Sequence, residues 1–183
     1  AVDLYNGASD RVSVGAFVIE DSDRIADKAN VAATFSFTTT AGGALAIGSF
    51  ITLTYPSGFF SSSATPSVLM SGSASGTSAP PSSTAIVVTT ATAVVAASTV
   101  VVVTLTGLNL GPATAGNSTG ITLSTSSDLT PSFGLGSGAI GYQVMNASFF
   151  IAPSDRVAGK SGSSATFSFT PTVGGALTAG GSI

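Results

Sequence analysis

From Thr34 to Thr38, hydroxyl and phenyl side chains alternate. In an extended chain this puts Phe35 and Phe37 on one face and Thr34, Ser36 and Thr38 on the other. Ile51, Leu53 and Tyr55 alternate with Thr52 and Thr54 in the same way. Similar patterning predicts strands near 13–19, 84–90, 99–106, 120–125 and 138–151, separated by Gly42-Gly43, Pro56-Ser57-Gly58 and Gly111-Pro112. Val100 to Val103 is an unbroken apolar run, as expected of a strand covered on both faces. No stretch places apolar residues at helical spacing. The strands predict an all-β fold, an immunoglobulin-like β-sandwich, with Phe35 and Phe37 in its core at about 1.5–3 kcal/mol of burial each.

Two segments need separate treatment. Ala85 to Val103 is uncharged and rich in Val and Ala, which superficially suits a membrane-spanning helix. Its β-branched residues, its five hydroxyl side chains and the lack of Lys or Arg near either end favour two strands joined near Ala96-Ala97-Ser98. Ser71 to Thr84 contains too little apolar surface to order as a strand and is predicted to be an exposed loop. Its composition suits O-linked glycans at Ser71, Ser73, Ser75, Thr77, Ser78, Ser82, Ser83 and Thr84.

Internal self-similarity is the strongest signal. Ser22-Asp23-Arg24-Ile25-Ala26 returns as Ser154-Asp155-Arg156-Val157-Ala158, and Ala33-Thr34-Phe35-Ser36-Phe37-Thr38 returns unchanged as Ala165-Thr166-Phe167-Ser168-Phe169-Thr170. Gly42-Gly43-Ala44-Leu45 returns as Gly174-Gly175-Ala176-Leu177. The offset is 132 each time, and 18 of the 30 positions from 22 to 51 are identical without a gap. These matches divide the chain into an N-terminal strand or linker (1–13), a β-sandwich repeat (14–145) and the opening strands of an incomplete second repeat (146–183). Alone, that last segment would leave Phe149, Phe150, Phe167 and Phe169 uncovered beside an unpaired strand edge. It is expected to be completed by a neighbouring repeat or subunit. Strand addition from a neighbouring subunit is the favoured route.

Composition narrows the possible functions. Ser, Thr, Ala and Gly make up 103 of the 183 residues, charged residues 7%, and the net charge is −3. Positions 29–127 carry no charge, so that surface must be wetted by hydroxyls, covered by sugars or buried against other subunits. With neither His nor Cys, Ser-His-Asp and Cys-His catalysis, ordinary zinc sites and disulfides are excluded. Five basic residues cannot make a nucleic-acid footprint. The chain shows no secretory leader at Ala1, so an extracellular protein is expected to have lost it already.

The remaining candidates are few. Asp21, Asp23 and Asp27 have the opening spacing of a calcium loop, but Ala26 and Ala32 stand where Gly and Glu are required. The preferred reading is a turn in which Asp caps backbone N–H groups and pairs with Arg. Six of the eight acids lie in the first 27 residues, so a carboxylate pair converging in a cleft is not expected. No catalytic, metal or cofactor site is predicted. Asn117-Ser118-Thr119 and Asn146-Ala147-Ser148 are N-glycosylation sequons, of which Asn117, in a Gly/Pro/Thr loop, is the favoured one.

The unit Ala-Thr-Phe-Ser-Phe-Thr, then Gly-Gly-Ala-Leu, then Ile-Thr-Leu-Thr-Tyr-Pro-Ser-Gly-Phe-Phe resembles the tandem β-sandwich repeats of large secreted surface proteins of aquatic microbes. It is also similar in character to subunits of glycosylated extracellular fibrils. The resemblance implies a structural, extracellular role, self-association into a head-to-tail homopolymer, covalent glycans, no membrane span and no active site. The alternative is a cell-surface adhesin or carbohydrate-binding module. Against it, Trp is absent and Tyr5, Tyr55 and Tyr142 are the only tyrosines.

Overall fold

A computed structural model describes residues 11–141, 144–172, 175, 177 and 179–182. It is all-β, with antiparallel pairing throughout and no α-helix among the described residues. One sheet holds β1 (Ser13–Val18), β2 (Val31–Thr38) and β8 (Val100–Leu110), with β4 (Phe60–Ser61) and β5 (Ser67–Met70) both pairing with β8. The second runs in the order β6 (Gly76–Ser78), β7 (Ala85–Thr90), β3 (Phe50–Thr54), β9 (Thr122–Thr125). A separate two-stranded sheet pairs β10 (Val144–Ile151) with β11 (Ala165–Pro171).

The two larger sheets share one apolar core. In β2 the alternation has the expected result: Val31, Ala33, Phe35 and Phe37 are buried, and the residues between them are half-buried. On the outer side the Thr34 and Thr104 hydroxyls meet at 3.0 Å across the β2–β8 pair. Ile51 and Leu53 of β3, Ile86 and Val88 of β7, and Leu123 of β9 cover the core from the second sheet. Beyond β3, Tyr55, Phe59 and Phe60 pack edge to face, with Phe59 and Phe60 5.0 Å apart at 89°. The buried Tyr55 hydroxyl donates to the Ser82 carbonyl at 2.8 Å, and burial raises its pKa.

Two expectations are corrected. Val100 and Val102 face solvent while Val101 and Val103 are buried, so this apolar run has one covered face rather than two. The two strands expected on either side of Ala96-Ala97-Ser98 are β7 and β8; they belong to different sheets, and the 91–99 connection crosses between them, tied down by the Leu45–Val95 bridge. Residues 71–84 are not wholly loop. β6 lies within them, its backbone ordered by pairing Gly76, Thr77 and Ser78 with Thr90, Thr89 and Val88. A polar segment needs little apolar surface of its own when an existing strand supplies the partners. No described helix is long and apolar enough to cross a membrane, and Ala85 to Val103 contains β7 and the start of β8.

Candidate functional site

The β10–β11 hairpin repeats β1–β2 in detail. Phe149 faces Phe167 in the register in which Phe17 faces Phe35, and both hairpins carry an irregularity just before that pair, at Met145/Ser148 and at Val14/Ala16. The connection starts with a single 3-10 turn in each, at Asp21–Asp23 and at Pro153–Asp155. Lys28 reaches Asp23 at 2.7 Å and the Ser22 carbonyl, and Lys160 reaches Asp155 at 2.6 Å and the Ser154 carbonyl. Arg24 Nε donates to the Ile19 carbonyl as Arg156 Nε donates to that of Ile151.

These contacts correct the expected role of the acidic turn. Asp23 pairs with lysine rather than arginine and no side chain caps the first 3-10 turn, but in the second copy Asp155 does accept from a backbone N–H, that of Ser164 at 3.4 Å. Asp27 and Asn30 have left-handed backbone (φ 56° and 62°), and Gly159 and Gly162 occupy the equivalent positions at 74° and 72°. The second copy can replace Asp27 because the position demands a conformation that Gly adopts freely and Asp tolerates.

The two hairpins differ in what covers them. β2 lies between β1 and β8, pairing with β8 from Val31 to Thr38. β11 pairs with β10 and with no other strand among the described residues. Phe35 and Phe37 are 1% exposed, whereas Phe149, Phe150 and Phe167 are 64%, 57% and 54% exposed and Phe169 is half-buried. An open groove of about 620 Å³ is lined by Val144, Phe149, Phe167, Phe169, Leu177 and Ser182. The first-copy counterparts of four of these, Val12, Phe35, Phe37 and Leu45, are buried core residues.

Polar contacts at both ends of β2 help tie the first hairpin to the rest of its unit. Arg24 Nη1 donates to the carbonyls of Ser137 (3.0 Å) and Ala139 (3.2 Å), and the Gly141 N–H donates to the Arg24 carbonyl. The residue between those carbonyls, Gly138, has a left-handed φ of 70°, which glycine adopts freely, and a Cβ there would press on the Arg24 guanidinium. Burial lowers the Arg24 pKa from its ordinary value, and the Asp21 carboxylate partly offsets this. At the other end of β2, the Thr40 hydroxyl donates to buried Asp128, beside a turn in which the Gly43 N–H donates to the Thr40 carbonyl.

The sequon residues lie where an attached sugar has room. Asn117 is exposed, its Oδ1 accepting from the Thr119 N–H (2.9 Å) and hydroxyl (3.3 Å). Asn146 is exposed within β10 at a left-handed φ of 53°. Of the eight O-glycan candidates, Ser71, Ser73, Thr77, Ser82, Ser83 and Thr84 are exposed and Ser75 and Ser78 half-buried. The hydroxyls of Ser71, Ser75, Ser78 and Ser82 are already engaged by protein groups. Tyr55 is buried, and Tyr5 and Tyr142 lie outside the described residues, as do positions 1–10 of the predicted N-terminal strand or linker. No protein-family model matches the chain, and no curated protein matches its sequence.

Proposed function

We propose that this protein is a structural subunit of a glycosylated extracellular fibril, built from immunoglobulin-like β-sandwich repeats of 132 residues joined head-to-tail by strand complementation. The uncovered apolar face of β10–β11 carries this reading. A two-stranded hairpin is marginal in water, and each phenylalanine left in solvent forgoes about 1.5–3 kcal/mol of burial. A head-to-tail contact that does not close into a ring propagates as a filament. Sugars on Asn117 and Asn146, and on the unengaged hydroxyls of Ser73, Thr77, Ser83 and Thr84, would wet a surface that has no charge from 29 to 127. Native material should then have a mass well above 17.7 kDa per chain; an unmodified mass removes the glycans from the proposal. Deleting 146–183 should reduce fibrils to monomers or short oligomers, and fibrils of undiminished length would rule the segment out as the joint.

A further inference from the structure

The hairpin cannot dock onto the body formed by residues 50–141 of an intact unit 11–141, because β1–β2 already fills the place it would take. We propose that its partner is a second copy of that body with the first-hairpin slot open, recognised by Arg156 and by Thr172. This rests on the hairpin being the joint, and it names what the joint binds.

Both recognition elements are present in the uncovered hairpin. Arg156 Nε donates to the Ile151 carbonyl at 3.0 Å, the same local contact that holds Arg24. In the first copy this posture brings the guanidinium to the carbonyls on either side of Gly138; for Arg156 an open body would supply the corresponding pair. The Gly175 N–H donates to the Thr172 carbonyl at 2.7 Å, as Gly43 does to Thr40. That turn receives Asp128 in the first copy, whereas the second copy's own residues through Ile183 include no acid after Asp155. Four residues lining the apolar groove, Val144, Phe167, Phe169 and Leu177, are counterparts of Val12, Phe35, Phe37 and Leu45, which belong to the buried core in the first copy.

Two substitutions lower the fit to an identical body. Ser163 replaces Val31, which is fully buried against the core, and Pro171 replaces Thr39, whose N–H donates to the Thr99 carbonyl. A second unit completed by the same body is therefore expected to form and to be the weaker of the two.

The full chain extended beyond Ile183 by a second copy of residues 52–145 tests the proposal. Amide exchange over 165–170 should slow at least a hundredfold relative to the 183-residue chain, because β11 gains a β8 partner on its open edge. In the extended chain Arg156→Ala should return about tenfold of that protection, whereas Lys160→Ala, whose contacts stay inside the hairpin, should return almost none. The chain has no cysteine, so a disulfide joining Ser168→Cys to a cysteine at the appended counterpart of Val102 would report β11 beside the new β8. In the first copy Ser36 and Val102 are register partners. If exchange stays fast even with Ser163→Val and Pro171→Thr added, the equivalent body is not the partner. If protection appears but Arg156→Ala leaves it unchanged, the arginine does not read the body. Loss of fibrils on deleting 146–183 without protection in the extended chain would retain the fibril role and reject this partner; protection with fibrils unaffected by the deletion would do the reverse.

Discussion

Phe35 and Phe167 sit in the same six-residue sequence and each faces an equivalent cross-strand phenylalanine, Phe17 or Phe149, yet Phe35 is 1% exposed and Phe167 54%. Strand pairing, the 3-10 turn, the Lys–Asp pair and the Arg Nε contact all appear in both hairpins, so the local chain specifies them. Burial does not follow from the local chain; it comes from β8 and the opposing sheet, which among the described residues only the first hairpin has. Identical residues therefore do different physical work in the two places. In the first they hold a core together, and in the second they stand exposed to solvent.

The comparison is broken most directly by truncating its aromatic residues. Phe35→Ala should destabilise the unit spanning 11–141 by about 3–5 kcal/mol, the usual cost of emptying a well-packed phenylalanine site. Phe167→Ala in the 183-residue chain should leave the denaturation midpoint of that unit unchanged. Equal losses from both substitutions would mean that the second hairpin is already packed into a core.

A smaller contrast comes from the two arginines. Arg24→Ala strips three carbonyls, those of Ile19, Ser137 and Ala139, of a charged donor in a half-buried position and should cost about 1–3 kcal/mol by chemical denaturation. Arg156→Ala should cost the unit 11–141 nothing measurable. Removing Lys28 should matter less than removing Arg24, because the Lys28–Asp23 pair is partly exposed and such pairs contribute about 0–1 kcal/mol.

Phe35, Phe37, Ile51 and Leu53 were legible as core because a period of two needs only a covered face, whichever strands provide it. The hairpin repeat was legible because its contacts are local. The pairing of β6 was not, since Gly76, Thr77 and Ser78 carry no apolar signal and are held by the backbone of β7. Nor was the exposed face of Val100 and Val102 visible, because a run of four valines does not tell a one-sided strand from a two-sided one. The Arg24 receptor was missed for a different reason. It consists of backbone carbonyls more than a hundred positions away, and the one available signal was Gly138 between them, in a sequence with 22 glycines.

The smallest effect should come from Asp27, and it separates a turn from an ion site. Asp27 holds a left-handed φ of 56° in an exposed turn, and its counterpart Gly159 adopts 74° with the rest of the turn retained. Asp27→Gly relieves left-handed strain worth about 1 kcal/mol. It also adds unfolded-state entropy that costs about 0.4–1 kcal/mol. The two nearly cancel, so stability should change by less than about 0.5 kcal/mol in either direction. Because the position is occupied for its conformation, millimolar calcium should shift the Tm of the parent and of the variant equally, if at all. A calcium-dependent rise in Tm confined to the parent would show that the carboxylates of Asp21, Asp23 and Asp27 act together on a cation, and that the two turns differ in function as well as in sequence.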